Sequence, residues 1–172
     1  PIYNNFYSGN DARVVTNLKR EGCIIFCKTV TAEFAVHHPG PTKNTYSSKH
    51  ICGTSSSGSA AAVASGMLPF ALGSQTAAST IRPAAYNGIY GYKPSFGVIP
   101  RTGILKTLDT LDHVTYFSRS VSDLKIIFDA LINSFNSSLS IEDDISGPLI
   151  FFDVTKCFST IDAPNEIAPK QG

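Results

Sequence analysis

The chain has 172 residues, 42% hydrophobic, 16% charged and 10% aromatic, enough apolar content for one domain with a hydrophobic core and too much for a disordered chain. Fourteen Lys and Arg against thirteen Asp and Glu leave a net charge of +1, which gives no electrostatic case for nucleic acid or an anionic membrane. No apolar run approaches the roughly 18 residues of a membrane-spanning helix, and the first residues lack the basic-then-apolar order of a secretory signal.

Met67 is the only methionine and the chain begins at Pro1, so it reads as a trimmed protein or a piece of a longer one. Asn10 or Asp11 is expected to cap a helix whose Val14, Val15 and Leu18 share a face, with Gly22 as its stop. Residues 23–27 (Cys-Ile-Ile-Phe-Cys) read as a short buried strand. Helix followed by buried strand is half of a β-α-β unit. The expected class is therefore α/β, with a mixed, mostly parallel sheet covered by helices and incomplete at both ends.

Alternation would turn Cys23 and Cys27 to one face of that strand. Their spacing, with Cys52 and Cys157 elsewhere, favours buried free thiols over a zinc site. Few cysteines and no signal fit a reducing, cytoplasmic setting. His37 and His38 fall in a Pro- and Gly-rich stretch and read as loop. No metal or cofactor is expected.

Residues 37–54 read as a long irregular loop, a length that a compact domain keeps when the loop works or is pinned. The run from Ala60 to Ala64 favours a closely packed helix ended by Gly66. Strands are expected at residues 68–72, 88–93 and 113–117. Ser120 with Asp123 forms a capping box for a helix that turns Leu124, Ile127, Phe128 and Leu131 inward. Residues 148–152 read as a last strand. The expected division is a domain over residues 1–158 and a polar, poorly ordered tail over 159–172.

Two segments could carry chemistry. One is the cluster Ser55-Ser56-Ser57-Gly58-Ser59 at the start of the alanine-rich helix; the other is Thr76-Ala77-Ala78-Ser79-Thr80-Ile81-Arg82-Pro83, just after an expected strand. Carboxyl ends of strands are where open α/β sheets bind ligands. Ser- and Gly-rich stretches are commonly turns or linkers, but a linker seldom runs straight into a packed helix. A phosphate cradle is the rival, and the Gly-Lys-Ser/Thr ending of a P-loop is missing.

The run from Gly53 to Ala64 resembles the Gly-Gly-Ser-Ser-x-Gly-Ser-Ala-Ala-Ala-Val-Ala stretch of the amidase signature family. Ala71 to Ala85 is similar to its Ala-Leu-Gly-Thr-Asp/Gln-Thr-x-Gly-Ser nucleophile loop, and Gly88 to Gly97 to its Gly-x-x-Gly-x-Lys-Pro-Thr-x-Gly. Lys28-Thr29 with Glu33-Phe34 supplies a fourth ordered piece. The resemblance covers about residues 1–132.

The resemblance implies hydrolysis of amides by a Ser-Ser-Lys triad. Ser79 matches the nucleophile. Ser55, 24 positions earlier, matches the relay serine, which in the family follows a cis peptide. Backbone N–H groups of Thr76, Ala77, Ala78 and Ser79 match the oxyanion hole, and Arg82 matches a position that either faces a substrate carboxylate or pins the loop. Ser56, Ser57 and Ser59 are expected to cap the helix rather than react. The implied partner is a small-molecule amide, with no nucleic acid and no membrane, and a homodimer is admitted.

There are departures. The family's Gly-x-Pro-x-x-x-Lys segment, which carries the triad lysine, has no counterpart here, and neither Lys28 nor Lys93 matches it. Thr54 and Ala78 replace glycines, at a cost of about 1–2 kcal/mol if either position needs positive φ. The family domain is more than twice this length. The expected function is amide C–N hydrolysis, with this chain inactive by itself. Its alternatives are a degenerate binding protein without catalysis and an amidotransferase A-type subunit. The order Ser79-Thr80-Ile81-Arg82-Pro83 differs from the Ser-Ile-Arg-Gln-Pro common in those subunits, which favours a free-standing amidase.

Overall fold

A computed structural model describes residues 7–36 and 38–132. The strand expected at 148–152, Cys157, His37 and the 159–172 tail lie outside them.

Helix α1 (Arg13–Arg20) starts at Ala12, which makes no side-chain cap bond. Asp11 instead pairs with Lys19 at 2.7 Å. The helix ends as its glycine suggests: Gly22 has φ 83°, its N–H donates to the Lys19 carbonyl at 3.1 Å and that of Cys23 to Leu18 at 2.9 Å. Those two bonds satisfy carbonyls the helix leaves open.

Residues 23–27 form no strand. Ile24 is 89% exposed and Phe26 78%, and Cys27 is exposed rather than buried, while Cys23 is half-buried and Cys52 buried. A strand needs a neighbour to take its backbone bonds, and none of the described strands runs beside this one. A short 3-10 turn at Glu33–Ala35 follows, with Phe34 and Ala35 at φ 52° and 57°.

The 38–54 stretch is irregular, as expected, and pinned. The Asn44 amide donates to the Tyr86 carbonyl at 2.7 Å and the Asn87 amide to that of Cys52 at 2.9 Å. Helix α2 (Ser57–Ala64) then leads to β1 (Phe70–Gln75), α3 (Ile81–Tyr86), β2 (Tyr90–Tyr92), β3 (His113–Ser118) and α4 (Val121–Ile132). Strand β1 begins two residues later than the apolar run because Pro69 has no N–H for the ladder. It continues through Gly73, where a Cβ would sit 2.9 Å from the Phe117 ring. Helix α3 had no sequence signal; Pro83 sits in its first turn, where a missing N–H costs nothing.

The three strands are ordered β1-β3-β2, and β3 runs antiparallel to both neighbours. The α/β class holds. The β1-α3-β2 crossover does give two strands of one direction, but β3 lies between them. Every pairing in this sheet is therefore antiparallel, where the helix–strand order had suggested mostly parallel neighbours.

Both faces of β3 are buried. Val114 and Tyr116 join Val14 and Leu18 of α1 and Leu124, Ile127, Phe128 and Leu131 of α4; Phe117 packs on the other face with Ala60 and Val63 of α2 and Ala84 of α3. Each large side chain so removed from water contributes about 1.5–3 kcal/mol. Alternation along one strand thus builds a helix–sheet–helix sandwich.

Candidate active site

Strand β1 delivers a tight loop, residues 76–80, into α3. The Gln75 side-chain carbonyl accepts the N–H groups of Thr80 and Ile81, both at 3.0 Å. A strand residue thereby caps the helix that follows it and draws the two ends of the loop together. Thr80 is fully buried; its hydroxyl donates to the Ser74 carbonyl at 3.3 Å and bonds that of Thr115. Among the described residues, no hydrogen bond uses the N–H groups of Thr76, Ala77, Ala78 or Ser79. Ala77 is exposed, Ala78 and Ser79 half-buried.

Ser55 approaches from the start of α2. Gly53, at φ 98°, lies so close to α3 that a Cβ there would be 2.5 Å from the Pro83 Cβ. This close approach sets the neighbouring Ser55 against the same loop. The Ser55 carbonyl accepts the Ala32 N–H at 3.3 Å. Its hydroxyl is buried and has no partner among the described residues, an arrangement that costs about 1–3 kcal/mol in a structural role. All described peptide bonds are trans, including the one before Ser55.

Ser55, Thr76 and Ser79 line one cleft of about 430 Å³, together with Lys28, Phe34 and Lys106. Arg82 stands on α3 outside that lining, half-buried, its N–H on the Ala78 carbonyl at 3.0 Å. Thr54 and Ala78 have no positive φ; among described non-glycine residues only Phe34 and Ala35 do. Neither replacement of a family glycine therefore carries left-handed strain.

The other serines do not cap α2. Its N-cap, Ser56, makes no side-chain cap bond, and the Ser59 hydroxyl donates to the Leu72 carbonyl at 2.7 Å while also meeting that of Thr29. Ser59, and Ser56 through a 3.5 Å bond to the Ser74 carbonyl, tie the helix sideways to β1, while the Ser57 hydroxyl is buried with no partner among the described residues.

One charged group at the site gave no sequence signal. Asp112 is buried at the entry to β3. It accepts the Thr76 hydroxyl at 2.5 Å and the N–H groups of Thr107 and Leu108 at 2.6 and 2.9 Å. Burial pushes its carboxyl up, yet these bonds outweigh burial and hold it below the usual carboxylate range. Burial alone pushes the Cys52 thiol up. No group of three metal-binding side chains occurs among the described residues.

The helix-covered sheet sets Ser55 and Ser79 on one cleft, beside a loop whose N–H groups no described residue uses, and that loop lacks the Gly-Lys-Ser/Thr ending of a nucleotide-binding loop. A family model described as Amidase matches residues 1–146, and the chain belongs to the amidase signature family. It is 41% identical over 129 residues to the A-type subunit of the glutamyl-tRNA(Gln) amidotransferase of Legionella pneumophila, covering 72% of this chain and 27% of that protein. The corresponding protein of Sulfolobus acidocaldarius is 37% identical over 136 residues, covering 76% and 29%.

Among solved structures, the same A-type subunit from Thermotoga maritima superposes with a TM-score of 0.73 at 35% identity, over 76% of this chain and 30% of that one. Native peptide amidase from Stenotrophomonas maltophilia gives 0.68 at 28%, over 84% and 31%. The chain spans less than a third of these relatives' length. No described helix is long and apolar enough to cross a membrane.

Proposed function

We propose that the protein carrying this chain hydrolyses amide C–N bonds, with Ser79 as nucleophile and Ser55 as relay. The observation that carries this reading is the buried, unpartnered Ser55 hydroxyl on the same cleft as Ser79. An orphaned hydroxyl is costly in a structural role and useful in a proton relay. In this scheme Ser79 Oγ attacks the amide carbon and passes its proton to Ser55 Oγ. Ser55 gives its own proton to a neutral lysine from outside the segments matched here.

The carbonyl oxygen becomes an oxyanion facing the free N–H groups of residues 76–79, where one donor is worth about 10²–10³ in rate. The returning proton goes to the leaving nitrogen as the C–N bond breaks, and water then releases the acyl group from Ser79. The serine needs that relay because an unactivated hydroxyl is a poor nucleophile. Small linear amides are the substrates this scheme takes, without a cofactor. Free, partly exposed thiols agree with a reducing compartment.

The curated relatives favour a second reading, an A-type amidotransferase subunit, in which the nitrogen released at the same serines is passed on. Turnover of simple amides without partner proteins separates the two. The test of both is a fluorophosphonate probe applied to the protein expressed from its whole coding sequence. Peptide mapping should find the label on Ser79, lost in Ser79→Ala and slowed by about 10² or more in Ser55→Ala. A label elsewhere overturns the Ser79 assignment, and no label at all leaves the non-catalytic binding protein.

A further inference from the structure

We propose that Asp112 is a positioning residue for this reaction, holding the oxyanion loop in register through the Thr76 hydroxyl. The inference rests on the amidase reading and deepens it. The loop has two halves. Its far half is fixed by Gln75 and by the bonds of Thr80 to Ser74 and Thr115. Its near half, held at the backbone by the Arg82 N–H on the Ala78 carbonyl, has one side-chain handle. Ala77 and Ala78 have no side-chain polar atom, and Ser79 must stay free to react. Thr76 alone can tie residues 76–79 to the frame by its side chain, and its hydroxyl goes to Asp112 Oδ1.

Asp112 is suited to hold rather than to react. Oδ2 takes the N–H groups of Thr107 and Leu108, the Thr107 hydroxyl approaches it at 3.2 Å, and the Asp112 N–H donates to the Leu108 carbonyl at 2.9 Å. Its acceptor capacity is therefore committed to the frame, which leaves no free oxygen to act as base. The bonds join three segments at the cleft: the loop after β1, the 107–108 turn and the start of β3. A loop so clamped presents its N–H groups with no reorganisation when the oxyanion forms. Loss of the clamp should weaken the transition state and leave ground-state binding alone.

The test compares Thr76→Val, Thr76→Ser and Asp112→Asn in the protein expressed from its whole coding sequence. Readouts are kcat and KM on a simple amide, the rate of fluorophosphonate labelling and the melting temperature. Thr76→Val is nearly isosteric and should lower kcat and the labelling rate by about 10- to 100-fold with KM within about threefold, short of losing a whole oxyanion donor. Thr76→Ser keeps the hydroxyl and should stay within about threefold of wild type. Asp112→Asn should follow Thr76→Val.

A purely structural clamp would lower the melting temperature and spare kcat. Wild-type kcat in Thr76→Val, or an equal loss in Thr76→Ser, overturns the proposal. A wild-type protein that is never labelled at Ser79 overturns the amidase reading, and this with it; normal labelling with an indifferent Thr76 overturns this alone.

Discussion

At the scale of single residues, Asp112 ties stability to pH. Burial disfavours its charged form, but four hydrogen bonds from Thr76, Thr107 and Leu108 require that form, and they hold its pKa below the ordinary value. A carboxyl depressed in the folded state stabilises the fold fully above its unfolded pKa, about 3.9. That contribution is lost as pH falls through the lower, folded value. The charged neighbours are Asp109 one turn back, itself lowered by a hydrogen bond from Lys106, and Arg101 beside Asp109 at 3.5 Å.

Urea unfolding at about pH 5 and about pH 3 should show wild type losing more stability than Asp112→Asn over that interval. Equal losses would mean that Asp112 does not sense the change. None of this was legible beforehand, because Thr76 and Asp112 are 36 residues apart and only the fold brings them together. The segments around Ser55 and Ser79 stand out locally as runs of small residues beside an expected helix or strand, and the roles proposed for the two serines rest on the family resemblance.

At the scale of elements, the helices read from the sequence are those whose signals are local. Helix α4 is the clearest: the Ser120 hydroxyl accepts the Asp123 N–H at 3.1 Å, and Leu124, Ile127, Phe128 and Leu131 are all buried on one face. Phe128 is fully buried, packing against Tyr92 with ring centroids 5.9 Å apart. Phe128→Ala should cost about 3–5 kcal/mol in urea unfolding. Ile126→Ala, on the exposed face of the same helix, should cost less than about 0.5 kcal/mol. Similar losses for both would place the core elsewhere.

Strands fared less evenly, because a strand is completed by its neighbour. Residues 113–117 lie within β3, which has a partner on each side. Residues 23–27 are a more continuously apolar run but have no partner among the described strands, so their backbone is irregular and Ile24 and Phe26 are exposed. Helix α3 escaped for the opposite reason. Its cap is the side chain of a strand residue, Gln75, and its six residues include a proline.

At the scale of the whole molecule, the chain spans less than a third of the relatives it matches, and its cleft shows what that third contains. Ser79, Ser55 and Asp112, proposed above as nucleophile, relay and positioning residue, all line the cleft. Among the described residues, the candidates for a base to the Ser55 hydroxyl are the lysines that line the cleft. Of the two lysines at the cleft, Lys106 is paired with Asp109 at 3.0 Å, and Lys28 is exposed. A lysine serves as base only where a dry or cationic setting favours its neutral form. Phe34 and Leu105 also stand partly open to solvent, so water would compete for the same N–H groups that should meet the oxyanion. The 172-residue chain expressed on its own should therefore give no turnover of simple amides above buffer. Ammonia release followed by a coupled assay, beside circular dichroism to establish folding, checks this. Ordinary turnover would place the base within these residues, and Lys28→Ala and Lys106→Ala would then show which lysine supplies it.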